Sequence, residues 1–147
     1  MNIIEPKSSE EFRKYYNLRY EILRKPWGQP KGSEKDELES SSQHVIVMDS
    51  QKRTVGVGRF QFNSITQAQI RYMAVHPDYQ GMGVGKQIIG SLEEIAKTAH
   101  AKLIILQSRE NAIPFYKNCG YEVVERSYLL FDTIQHYLMQ KKLENNC

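Results

Sequence analysis

A chain of 147 residues has the length of one domain and buries about two-thirds of the surface that it exposes when unfolded. Its formal charge of +3 comes from scattered lysines and arginines, which argues against a nucleic-acid groove and leaves room for a phosphorylated ligand. Cys119 and Cys147 lack the spacing of a zinc site or disulfide framework, no apolar run approaches the roughly 18 residues that cross a bilayer, and no leader pattern opens the chain; the expectation is a cytoplasmic protein with no metal and no membrane partner.

Asn2 to Glu5 reads as a short strand. Ser8-Ser9-Glu10-Glu11 has the form of a capping box and predicts a helix start. Phe12, Tyr15, Tyr16, Leu18, Arg19, Ile22 and Leu23 form its largely apolar stripe, which Pro26 ends. Trp27 to Ser42 has no period; it carries Gly28, Pro30 and Gly32 and then Glu34, Asp36, Glu37 and Glu39, and predicts a loop with a short helical turn. His44 to Met48, Val55 to Phe62 and Gln69 to Val75 read as three strands of an antiparallel meander. Val84, Ile88, Ile89, Leu92, Ile95 and Ala96 recur at helical spacing, predicting a helix from about Val84 to His100. A short strand at Lys102 to Leu106, a helix from about Asn111, and a strand pair at Glu122 to Leu130 and Ile134 to Lys141 follow. The expected fold class is α/β: a single domain over 1–147 with a mixed, mostly antiparallel sheet flanked by helices.

The stretch from Arg71 to Lys86 carries the chemistry. An apolar strand ends at Val75-His76-Pro77 and runs into Gln80-Gly81-Met82-Gly83-Val84-Gly85-Lys86, which opens the helix. A helix N-terminus leaves its first N–H groups unpaired and carries the positive end of the macrodipole, so anionic oxygens are stabilised there. Gly81, Gly83 and Gly85 keep side chains out of that approach and allow the positive φ that turns successive N–H groups into a nest. A P-loop would need a glycine where Gln80 stands and a Ser or Thr where Gln87 stands. A dinucleotide fingerprint would place its third glycine one residue beyond Gly85 and a carboxylate within Ala101 to Gln107, which has none. Both patterns fail.

Gln80 to Gly85, read as Gln-x-x-Gly-x-Gly after a strand ending in Val-x-Pro, resembles the pyrophosphate loop of the GNAT superfamily of N-acetyltransferases. Ala112-Ile113-Pro114-Phe115-Tyr116-Lys117-Asn118-Cys119-Gly120-Tyr121 is similar to the Ala-x-x-Phe-Tyr-x-x-x-Gly-Phe segment that follows the fifth strand in that superfamily, with Tyr121 in place of Phe. One helix and one strand separate the two segments, and the resemblance spans about Val45 to Met139. Ile134-Gln135-His136-Tyr137-Leu138-Met139 also resembles an Ile-Pro-His-x-x-Met run of the ElaA-like branch, with Gln135 replacing proline, and Leu18 to Arg24 is touched by the same likeness.

The resemblance implies acetyl-CoA as cofactor, held at Gln80, Gly81, Met82, Gly83, Val84, Gly85 and Lys86. It implies that backbone N–H groups of Met73 and Val75 hold pantetheine and the thioester oxygen. Asn111 stands two residues later than the usual pantetheine asparagine, whose place Arg109 takes; either Asn111 makes that contact or Arg109 reaches the cofactor phosphates. Tyr116 is implied as the acid that protonates the leaving thiolate. Where some relatives carry a glutamate base this chain has Gln69, which takes no proton, leaving His136, His44, Glu37 and Glu39. Tyr116 and His136 are the expected catalytic pair. Arg19, Trp27, Glu37 and His44 are expected to wall the acceptor site, where a carboxylate favours a cationic amine. The expected reaction is acetyl transfer to a primary amine of a small molecule or protein, by direct attack in a ternary complex, with the enzyme a monomer or homodimer. Cys119 as an acyl carrier is the lesser route. A non-catalytic acyl-CoA sensor is the alternative from another class.

Overall fold

The computed structural model describes residues 1–143, so Cys147 lies outside the described residues. Seven strands form one sheet: β1 (Asn2–Ile4), β2 (Gln43–Met48), β3 (Thr54–Phe62), β4 (Gln67–Val75), β5 (Leu103–Arg109), β6 (Glu122–Leu130) and β7 (Ile134–Lys142). Their order is β1-β2-β3-β4-β5-β7-β6. β4 and β5 are parallel, and the other neighbouring pairs among the described residues are antiparallel. The parallel pair exists because a helix separates its strands in sequence, whereas tight turns join the meander. Among the described residues three α-helices flank the sheet: α1 (Ser9–Leu23), α2 (Val84–Thr98) and α3 (Ile113–Asn118).

The start of α1 is the capping box read from the sequence. Ser8 Oγ accepts from the Glu11 N–H at 3.0 Å, and Glu11 returns to the Ser8 N–H at 3.1 Å. Its stripe buries Tyr15 and Leu18 on one face of the sheet against Ile46, Val57 and Ala74. On the other face α2 sets Val84, Ile88, Ile89 and Leu92 against Val45, Val47, Phe60 and Ile70. α2 approaches β3 closely because two glycines lie beneath it. A Cβ on Gly56 would stand 2.8 Å from Ile88 Cδ1, and one on Gly58 would stand 2.6 Å from Ile88 Cγ2.

Two backbone features part the sheet at its centre. β4 and β5 pair from Gln67↔Leu103 to Ile70↔Leu106 and no further, although both strands continue. Opposite, the β3–β4 register jumps from Arg59↔Arg71 to Val57↔Ala74, a bulge that leaves Tyr72 and Met73 facing Gly58. Tyr72 takes the left-handed conformation, φ 56°, which a non-glycine residue holds at a cost of about 1–3 kcal/mol when its surroundings enforce it. The bulge twists the end of β4 away from β5, and a cleft opens between them.

Candidate active site

The cleft has a volume of about 1220 Å³ and is lined by β4, β5, the loop into α2, α3, and β6–β7 at the far wall. Along one wall runs the edge of β4 beyond Ile70, whose partner strand has departed. Buried backbone donors need partners, so this edge presents N–H groups to whatever enters.

At the mouth stands the start of α2. Gly81 and Gly83 have φ of 78° and 82°, and a Cβ on either would meet nothing within 4 Å. The first helical bond runs from Gln87 N–H to Gly83 O at 3.1 Å, so the N–H groups of Val84, Gly85 and Lys86 find no carbonyl within the helix. Here is a concave nest with the positive pole of the helix behind it, which fits a pyrophosphate. Gly85 has a second duty in packing: a Cβ there would lie 3.0 Å from Phe115 Cζ and 3.3 Å from Met73 Cε.

Tyr116 projects from α3 into the same cleft, its Oη 4.0 Å from Met73 Sδ and its ring edge-on to Phe115 at 5.0 Å. Burial pushes its phenol up to about 12, while the Arg109 charge pulls the other way. His136 reaches the cleft from β7, opposite Arg109 in register, and stacks on Tyr128 at 4.6 Å. His136 Nδ1 lies 3.0 Å from the Ile134 carbonyl. A carbonyl can only accept, so Nδ1 carries the proton and Nε2 of the neutral ring keeps its lone pair. Burial lowers the His136 pKa, against the pull of the Ile134 carbonyl; the charges of Arg109 and Arg24 lower it further. The ring is thereby held neutral at physiological pH.

The family model of the acetyltransferase (GNAT) domain matches residues 25–143. The chain belongs to the GNAT acetyltransferases. It is 32% identical over 141 residues to the uncharacterized N-acetyltransferase YjcF of Bacillus subtilis (strain 168), covering 96% of this chain and 99% of that protein. A putative N-acetyltransferase from Lactobacillus plantarum shares the fold at TM-score 0.85 and 21% identity, covering 97% of this chain and 98% of the other. An aminoglycoside 6'-N-acetyltransferase complexed with coenzyme A shares it at TM-score 0.81 and 16% identity, with 97% of each chain covered. This GNAT protein is thus an acyltransferase whose cosubstrate is acetyl-CoA.

Of the residues singled out in the sequence of this GNAT acetyltransferase, Met73, Val75, Gln80, Gly81, Gly83, Val84, Gly85, Lys86, Asn111, Tyr116 and His136 all line the cleft. Met82 does not: it is 58% exposed and outside the lining. The Gln80 side chain turns back to the Val75 carbonyl at 3.4 Å, securing the loop to the strand. The acceptor-side expectations fare differently. Arg19 is fully buried, paired with Glu39 at 2.9 Å and donating to the Glu34 carbonyl and Tyr15 Oη, so no substrate reaches it. His44 uses both ring nitrogens inside the fold, Nε2 on the Glu39 carbonyl at 2.7 Å and Nδ1 on Tyr15 Oη at 2.8 Å. Glu37 is exposed outside the cleft, and Glu39 is consumed by Arg19 and Arg59. Trp27 backs the wall as a platform, with Arg109 Cζ 4.6 Å above its ring.

The residues that sequence reasoning passed over are Arg24, Arg71, Tyr72 and Tyr128, all of which line the cleft of this GNAT enzyme. Tyr72 holds Arg71, Arg24, Arg19 and Arg59 around its ring, with guanidinium carbons 4.4–5.5 Å from the centroid. The available signal was the apolar β4 pattern broken by Arg71 next to an aromatic. Which way those side chains turn depends on the bulge, which no local pattern announces.

Proposed function

We propose that the protein transfers acetyl from acetyl-CoA to a primary amine by direct attack in a ternary complex within one catalytic domain. The observation that carries this is the meeting of Tyr116, His136 and the open edge of β4 in one cleft. Acetyl-CoA supplies the activated acyl group. The nest at Gly81 to Lys86 binds its pyrophosphate, and Asn111 and the Met73 and Val75 N–H groups align the remainder along β4. The Met73 N–H stabilises the negative charge that develops on the acyl oxygen. Nε2 of His136 accepts the proton that leaves the amine as its bond to carbon forms. The phenol of Tyr116 delivers a proton to the departing sulfur, and Arg109 lowers the cost of that transfer. Burial raises the Cys119 thiol, and Glu93 raises it further, so no activated thiolate is present to carry an acyl group. That favours direct attack over a ping-pong route.

Tyr116→Phe tests the assignment: kcat falls at least tenfold while the dissociation constant for CoA, read by titration calorimetry, moves less than twofold. Unchanged turnover would remove Tyr116 from the mechanism. Initial rates at varied concentrations of both substrates give intersecting lines for a ternary complex, and parallel lines would replace direct attack by an acyl-enzyme.

A further inference from the structure

The wall of the cleft nearest His136 is strongly positive. Arg24, Arg71 and Arg109 line it, and no Asp or Glu is among the described residues that line the cleft. The three are linked through aromatic faces: Arg71 and Arg24 lie 4.9 and 5.5 Å from the Tyr72 centroid, Arg24 lies 5.5 Å from Phe131, and Arg109 lies 4.6 Å from Trp27. Among the described residues, neither Arg24 nor Arg109 has a carboxylate within 4.0 Å. Arg24 spends its Nε and one terminal nitrogen on the Ser33 and Leu23 carbonyls. Arg71 touches Asp36 by a single contact at 3.2 Å, and Asp36 is already gripped by Arg59 at 2.7 Å.

Neutralisation inside the fold is therefore incomplete. Among the described residues, five guanidiniums, those of Arg19, Arg24, Arg59, Arg71 and Arg109, have between them the two carboxylates of Asp36 and Glu39, and the uncompensated charge faces the cleft. Among the described residues Arg24 keeps one terminal nitrogen, Arg71 its Nε and second terminal nitrogen, and Arg109 its whole guanidinium without a protein acceptor, and these N–H donors suit a planar or tetrahedral oxyanion. Such a wall repels a polycation. It also lowers the pKa of an ammonium bound beside it, which yields the free amine that attacks.

Resting on the acetyl-transfer reading above, we propose that the acceptor is an amine that also bears an oxyanion, a carboxylate or phosphate, held by Arg24, Arg71 and Arg109 while the amine faces His136. This reverses the expectation of a cationic acceptor drawn from Glu37 and its acidic loop, because Glu37 is exposed outside the cleft and Asp36 and Glu39 are spent on buried arginines.

The test is calorimetric titration of the CoA-saturated protein with two matched pairs, O-phosphoethanolamine against ethanolamine and β-alanine against propylamine, and with spermidine. The expected result is at least tenfold tighter binding of the acidic member in one pair or both, which separates phosphate from carboxylate, with spermidine the weakest and the preference shrinking as salt rises. Arg109→Gln weakens the acidic member at least tenfold and the neutral one less than twofold. Acidic members that bind no tighter than their neutral counterparts in either pair overturn the proposal. So does an Arg109→Gln variant whose main loss is in CoA affinity, since that gives the arginines to the cosubstrate. Failure of the acetyl-transfer reading shows separately, as no CoA thiol released from acetyl-CoA with an amine that the titration proves to be bound.

Discussion

In the proposed mechanism the protonation state of His136 decides the rate. The Ile134 carbonyl fixes the tautomer, and burial with two nearby arginines keeps the imidazole from charging. A base works only when neutral, so on that proposal kcat is expected to rise with pH along a single acid limb and then level. Because the pKa is lowered in the fold, that limb centres below the ordinary histidine value of about 6.5. As the proposed acid Tyr116 must be protonated, and with its phenol near 12 it places no falling limb in the accessible range. The kcat profile of His136→Gln is expected to lose the acid limb along with at least tenfold of rate; a limb that survives the substitution assigns the proton to another group. Sequence alone ranked His136 above His44 on a short likeness, and the ranking has a physical counterpart. Both histidines are buried, but His44 has committed both nitrogens to the fold, whereas one nitrogen of His136 has no protein partner among the described residues.

At the scale of elements, β3 and α2 constrain each other through two glycines. Gly58→Ala forces Ile88 Cγ2 and Leu92 Cδ1 outward from contacts of 2.6 and 3.2 Å, and such overpacking costs about 1–3 kcal/mol. Gly90→Ala on α2 meets nothing within 4 Å and replaces a poor helix former by the best one, a gain of about 1 kcal/mol. Urea unfolding with an unchanged slope checks both signs in one protein background. The helices and strands were largely legible in the sequence, since their signals are local: the capping box at Ser8, the 3.6-residue recurrence along α2, and apolar runs bounded by turns. β5 runs three residues beyond its expected end at Leu106, because Gln107 to Arg109 interrupt the apolar pattern yet pair with β7. The bulge at Tyr72 and the close seat of α2 on Gly56 and Gly58 were not legible, for both arise from contacts between segments distant in the chain.

Across the whole molecule, a buried ionic network ties the loop before β2 to the sheet. Arg59 and Arg19, both fully buried, hold Asp36 and Glu39, and Arg59 also donates to Gln61. Burial alone would raise the Asp36 carboxyl, but hydrogen bonds from Arg59 and the Leu38 N–H, with the arginine charges, prevail and bring it down to about 2. A carboxyl whose pKa is depressed in the fold stabilises the protein above its unfolded pKa near 3.9, and that contribution disappears as pH falls toward 2. Asp36→Asn leaves Arg59 and Arg71 short of a counter-charge, costs about 3–5 kcal/mol, and flattens the dependence of stability on pH between about 4 and 2. Thermal unfolding across that window measures both effects. The loop read from sequence as a charged, acceptor-selecting segment is in this way a strut, and on the proposal above the selecting groups are the arginines left over. The parting of β4 from β5 has a further consequence for how such an enzyme changes over time. The groups that would handle the thioester are peptide N–H donors along a strand edge, which every substitution except one to proline leaves in place. The side chains on the opposite wall are free to drift, so a lineage can exchange one acceptor for another while the transfer step stays as it was.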